Sequence, residues 1–182
     1  MVLSCSLLFW LNCSLSAPIM ALCQMAGEEE AACSLRRLHR QIDAFTDRHP
    51  LVEQARARFP AERRRTSGIL LDLFFDHCLA RDWADYHAEP LPQFTDRVYE
   101  VLAAQRELPE RLAYIAPRMA AQDWLGSYRE FAVLEQVIGG MSRRLSRPQL
   151  LAGAMSELER LYQPLSDDFR AFYPQLQVFA RS

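Results

Sequence analysis

The chain has 182 residues, enough for one domain with a sizeable core; half of the residues are apolar and 24% are charged. A net charge of −2 gives no electrostatic case for nucleic acid as a partner. The five cysteines form no C-x-x-C pair and are odd in number, so neither a disulfide framework nor a zinc site follows, and a reducing, cytoplasmic setting is the simpler expectation.

Residues 1–34 differ in composition from the rest of the chain. Four of the five cysteines lie at or before Cys33, and the first basic residue is Arg36. All 21 basic residues are arginine, so every cationic contact is a planar, permanently charged guanidinium. "LLFWL" is an apolar run, but it has no positive flank and is broken by Asn12, Cys13 and Ser14. It is therefore expected to be neither an export signal nor a membrane span. The expected organisation is an atypical segment over 1–34 and a helical domain over 35–182.

From residue 35 the periodicity is helical. Leu35, Leu38, Ile42 and Phe45 keep a spacing of three to four residues, and His49-Pro50 ends that run. Leu51 to Phe59 predicts a short helix closed by Pro60, and the apolar stretch from about Ile69 to Tyr86 predicts a long one. "HAEPLPQ" is a loop. Phe94, Val98, Val101 and Leu102 mark the next helix; Leu112, Ile115, Met119 and Trp124 mark another, which Pro117 should kink or split. One helix is expected over Leu125 to Leu145, weakened at Gly139-Gly140. Pro148 should sit at the start of a helix over Leu150 to Tyr162, and a final helical piece should be interrupted by Pro174. No segment alternates as a strand does, so the expected class is all-α.

Two of these helices carry polar residues one turn apart. "HRQIDAFTD" supplies His39 and Asp43, with Asp47 a turn further on; "DLFFDH" supplies Asp72 and Asp76, with His77 adjacent. The second set is embedded among Leu70, Leu73, Phe74 and Leu79, where a carboxylate is expensive unless it is paired or bound to a cation. Oxygen-rich ligation with one or two imidazoles suits Mn²⁺, Mg²⁺ or Fe²⁺. The plainer alternative is that Asp43 pairs with Arg36 or Arg40 and that Asp47 caps the next segment. Cys78 points away from its neighbour His77, so no Cys–His nucleophile is expected. His49 and His87 read as surface residues.

The stretches "HRQIDAFTDRHP", "LLDLFFDHCLARDW", "QDWLGSYREFAVLEQVIGGMSRR" and "FRAFYPQL" resemble the acyl carrier protein phosphodiesterases, permuted relatives of the HD-domain phosphohydrolases. The resemblance runs from about Leu35 to the C-terminus. It implies an all-α fold and metal-dependent hydrolysis of the phosphodiester joining 4′-phosphopantetheine to a serine of holo-acyl carrier protein, with Mn²⁺ as the ion. It points to His39, Asp43, Asp72, Asp76 and His77 as the site region: Asp43 and Asp72 to handle water, and His39, Asp76 and His77 to hold the metal. The family's N-terminal Gly-Asn-Leu-Leu-x-Asp-Phe segment, whose Asp belongs to the metal site, is missing; Leu22 falls where that Asp should be. An altered reading frame, a misplaced start or divergence to an inactive chain would each produce this pattern.

The implied partner is an acidic protein. Arg36, Arg37 and Arg40 lie on the His39 helix, and Arg63, Arg64 and Arg65 precede the Asp72 helix, so these arginines are expected to steer acyl carrier protein to the site. Two other functions fit the same motifs: a phosphohydrolase acting on a nucleotide or another small phosphoester, and a catalytically impaired module that binds acyl carrier protein.

Overall fold

A computed structural model describes residues 28–104, 110–143 and 146–181. Leu22 and the other expectations for residues 1–27 lie outside the described residues, as do the side chains of Arg36 and His39. The described residues are helical with no strand, as the periodicity predicts. In chain order α1 is Glu28–Asp47, α2 Pro50–Ala57, α3 Ser67–Arg81, α4 Trp83–Tyr86 and α5 Leu91–Ala104. Then follow α6 Glu110–Ala121, α7 Trp124–Ser127, α8 Val133–Ser142, α9 Ala154–Arg160 and α10 Tyr162–Ala180. Short 3₁₀ turns occupy Ala61–Arg63 and Pro148–Leu151. None of these helices is long and apolar enough to cross a membrane.

The core is built around α3. Leu70, Leu71, Leu73, Phe74, Phe75, Cys78, Leu79 and Ala80 are all buried, so this helix is apolar around nearly its whole circumference. The long α10 lies across α1, α2 and α3. Its Phe169 and Phe172 meet Phe75 with ring centroids 5.3 and 6.0 Å apart, and its Phe179 stacks on Phe45 of α1 at 4.3 Å. A polar tie reinforces this layer. Asp168 of α10, only 5% exposed, accepts from Arg58 Nε at 2.6 Å, Arg58 Nη2 at 3.0 Å and Gln54 Nε2 at 3.2 Å, which fixes the end of α2 to α10.

Several boundaries differ from the sequence-based ones. The first helix starts at Glu28 and passes residue 35 without a break. Pro117 and Pro174 lie inside α6 and α10, and neither ends its helix. Both sit on exposed faces, where the carbonyls they leave unpaired can be hydrated. The single helix expected over Leu125 to Leu145 is instead α7 and α8 with turns between them. Asp123, at φ 42°, caps α7 by accepting from Gly126 N at 3.1 Å. A Cβ on Gly126 would collide with the Asp123 carboxylate, so a larger residue there would displace this cap. The helix expected over Leu150 to Tyr162 is a 3₁₀ turn followed by α9, which starts after Gly153 at φ 71°. His49, expected at the surface, is buried: it caps α2 by accepting from Leu51 N at 3.3 Å and packs on Phe45 and Phe172. His87 is half-buried, stacked on Trp83 at 4.0 Å and 3.3 Å from Tyr173 Oη.

Candidate functional site

The polar residues of three helices meet where α1, α2 and the first half of α3 converge. Asp43 and Asp47 occupy one face of α1, a turn apart. Arg56 comes from the last turn of α2, and its Nη2 donates to Asp47 Oδ1 at 2.7 Å. The same guanidinium lies over Gly68, whose added Cβ would sit 3.9 Å from Arg56 Nε. Gly68, Asp72 and Asp76 are spaced four residues apart on α3 and share a face, so Arg56 lies on the face that carries both carboxylates.

The electrostatics match this placement. The Asp72 carboxyl is pushed up to about 7, first by burial and then by the Asp47 and Asp43 carboxylates, while Arg56 works in the opposite direction. Asp72 is half-buried and Asp76, one turn deeper, is fully buried. Asp43 and Asp72, which the sequence assigns to different helices, thus belong to one charge cluster. Asp47 and Arg56 complete it. Asp47 does not cap the following helix; His49 does, and Asp47 is left to pair with Arg56. Arg56 was not singled out by the sequence, because its motif "EQARAR" looks like an ordinary solvated helix end.

His77, expected to hold the metal, is hydrogen-bonded at both ring nitrogens. Its Nδ1 lies 2.8 Å from the carbonyl oxygen of Tyr128, and its Nε2 lies 2.8 Å from Tyr162 Oη. The carbonyl can only accept, so Nδ1 carries the proton and Nε2 accepts from the Tyr162 hydroxyl. Burial lowers the histidine pKa and keeps the ring neutral. Both nitrogens are therefore hydrogen-bonded within the protein. The reason is helical geometry: residues 76 and 77 project about 100° apart, so if one lies on the Asp72 face its neighbour cannot. Arg81 continues the network, donating to Tyr162 Oη at 2.6 Å and gripping Asp82 through two bonds of 2.6 and 2.5 Å. Cys78 is buried beside Ser166, and its thiol is pushed up to about 12 by burial, consistent with a core residue and not a nucleophile.

The arginines expected to meet a partner divide into two groups. Arg37, Arg40, Arg64 and Arg65 are exposed. Arg63 instead turns inward and donates to the carbonyl oxygens of Leu150, at 2.7 Å, and Ala152, bracing the turn that leads into α9. Its position in a 3₁₀ turn separates it from the two arginines after it.

Among the described residues no group of three or more His, Cys, Asp or Glu side chains is close enough to hold a metal ion. His39 lies one turn before Asp43 on α1, with its side chain outside the described set. The donors near Asp72 are hard carboxylate oxygens, those of Asp47 and Asp43, with the Arg56 guanidinium as the opposing charge, and such oxygens are the donor type that divalent cations such as Mn²⁺ or Mg²⁺ take.

No solved structure matches the chain, so its likeness to the HD-domain phosphohydrolases stays with the sequence. Similar proteins are found among bacterial sequences. A protein of Yersinia pestis named acyl carrier protein phosphodiesterase is 36% identical over 141 residues, covering 76% of this chain and 73% of its own length. One of the same name from Enterobacter sp. (strain 638) is 34% identical over 147 residues, covering 80% of this chain and 76% of its own length. A third, from Escherichia coli O6:H1, is 33% identical over 141 residues, covering 76% and 73%. The family model described as acyl carrier protein phosphodiesterase matches residues 29–176, a span that opens within the first turn of α1 and includes every member of the charge cluster. The chain belongs to the acyl carrier protein phosphodiesterase family.

Proposed function

We propose that this chain hydrolyses the phosphodiester between 4′-phosphopantetheine and the serine of holo-acyl carrier protein, releasing the arm and the apo protein. The observation that carries this reading is the junction of Asp43, Asp47, Arg56 and Asp72, together with the names of the relatives. In the reaction a water oxygen bonds to phosphorus, the bond from phosphorus to the serine oxygen breaks, and the serine oxygen takes up a proton. In this reading Asp43 and Asp72 orient the water and accept its proton, supported by the burial that raises the proton affinity of Asp72 toward neutrality, where a general base is useful.

A divalent cation, Mn²⁺ by the family resemblance, would be held by His39, Asp43 and Asp76. When bound it supplies Lewis-acid polarisation of the phosphoryl group. His77 is left out of this set because both of its ring nitrogens are engaged. The partner is taken to be acidic, with Arg37, Arg40, Arg64 and Arg65 as its exposed cationic contacts and a cytoplasmic setting implied by that substrate.

The test is the time course of 4′-phosphopantetheine release from holo-acyl carrier protein in Mn²⁺, beside phosphate release from nucleotides. Release from the carrier protein alone, lost in Asp72→Asn, is the expected outcome. Turnover of nucleotides with none of the carrier protein would replace this reading by a small-molecule phosphohydrolase. The charge-reversing variant Arg64→Glu should weaken turnover of the carrier protein and spare a minimal pantetheine phosphodiester. Equal losses on the two would assign this arginine to the phosphate or to the fold.

A further inference from the structure

Arg56 stands out because the Asp47 pair uses only part of it. The guanidinium offers five N–H donors in a rigid fork. Its one hydrogen bond among the described residues is from Nη2 to Asp47. Nε is buried with no hydrogen-bond partner among the described residues. An unsatisfied buried N–H on a charged group is costly, more so than on a neutral one. The side chain is still 30% exposed, so the group can be reached from solvent. It sits over Gly68, one turn from Asp72 on the same face of α3. Asp47 restrains one arm of the fork, so little rotamer entropy remains to be lost when a ligand arrives.

From this geometry we infer that Arg56 is a catalytic residue that binds a non-bridging oxygen of the substrate phosphodiester, with Asp47 as the residue that positions it. The inference rests on the proposed phosphodiesterase reading. A guanidinium is suited to a tetrahedral oxyanion, since it stays charged and donates in a plane. It also answers a difficulty of the acidic junction: a phosphodiester entering beside Asp43, Asp47 and Asp72 needs a fixed positive group, whether or not a cation is bound. The geometry orders the two functions along α2. Arg58, two residues on, is committed to Asp168 and holds the helix in place, while Arg56 retains unused donors.

The experiment compares the unaltered chain with Arg56→Gln, Arg56→Lys and Asp47→Asn. It uses kcat and KM for release of 4′-phosphopantetheine from holo-acyl carrier protein, and calorimetric binding of sulfate, a tetrahedral dianion that stays soluble with Mn²⁺. Arg56→Gln should lower kcat/KM by at least about a hundredfold and sulfate affinity by about tenfold, as expected for a lost charge-assisted contact. Arg56→Lys should recover part of both. Asp47→Asn should retain sulfate binding, because the guanidinium stays in place, and should lower kcat by less than about tenfold through looser positioning. Arg56→Gln with unchanged kcat/KM and unchanged sulfate affinity would overturn the inference and leave Arg56 as a counter-charge to Asp47. If holo-acyl carrier protein is cleaved neither by the unaltered chain nor by one whose N-terminal segment supplies the aspartate that Leu22 replaces, yet sulfate binds in an Arg56-dependent way, the phosphodiesterase reading fails and the oxyanion site stands. Absence of both cleavage and Arg56-dependent sulfate binding overturns the two together.

Discussion

At the scale of single residues, the cluster is defined by what Asp72 does with its proton. Its carboxyl is held at about 7 in the folded chain, against an ordinary value near 4 when unfolded. Between those two values the folded state keeps a proton that the unfolded state has lost, so this residue makes the fold less stable as pH rises from about 4 to about 7. The full effect is at most about 4 kcal/mol by linkage and smaller for a carboxyl that is only half-buried. A divalent cation would relieve the same strain above pH 7. Thermal unfolding should therefore show almost no stabilisation by Mn²⁺ at pH 5 and a gain of several degrees at pH 7.5, with the gain lost in Asp72→Asn. An equal gain at both pH values, or one that survives Asp72→Asn, would put the cation elsewhere. His77 behaves in the opposite sense. Its pKa is lowered in the fold, so its contribution is present above about 6.5 and is lost as pH falls below that value.

At the scale of helices, α2 is the lever that sets the site, because its last turn carries both Arg56 and the tie to α10. The Arg58–Asp168 pair is asymmetric: Asp168 is 5% exposed and Arg58 is 32% exposed. Removing the arginine strands a buried carboxylate, whereas removing the aspartate leaves a guanidinium that can turn to water. Arg58→Met should cost about 3 kcal/mol and Asp168→Ala about 1 to 2 kcal/mol. Chemical denaturation of the two variants checks this order, and equal losses would mean that the pair contributes mainly through packing. The same element shows how far sequence reading reaches. The apolar stripes on α1, α3 and α10 were legible as helices, and the carboxylates of α1 and α3 stood out because each set repeats at four residues. Arg56 and Asp168 were not legible, since nothing local distinguishes an arginine or aspartate with a tertiary partner from one in water. The surroundings of His77 were not legible for a related reason: the motif places it beside Asp76 in sequence, and helical geometry turns it toward Tyr128 and Tyr162. The broken helix after Trp124 depends on Asp123 in a left-handed conformation, which a stripe of apolar residues does not encode.

At the scale of the whole molecule, α10 spans the helices that carry the cluster, and the phenylalanines along it fix their relative positions. The first helix and the family match begin within a residue of each other, at Glu28 and residue 29, so an exchange of residues 1–27 replaces only sequence outside both. Leu22 brings no oxygen to a cation, so replacing residues 1–27 with a family-like segment that supplies the aspartate should raise turnover of holo-acyl carrier protein, with a matching rise in Mn²⁺ affinity. No change in either would mean that Leu22 does not stand in a ligand's place. The central claim, that the α1–α2–α3 junction cleaves the carrier protein's phosphodiester, is tested most directly by the intact mass of holo-acyl carrier protein after incubation with the chain carrying that replacement segment. With Mn²⁺ present the mass should fall to that of the apo form, and it should stay unchanged with chelator or with Asp72→Asn. A carrier protein that keeps its arm throughout, or that loses it equally with Asp72→Asn, would contradict the account.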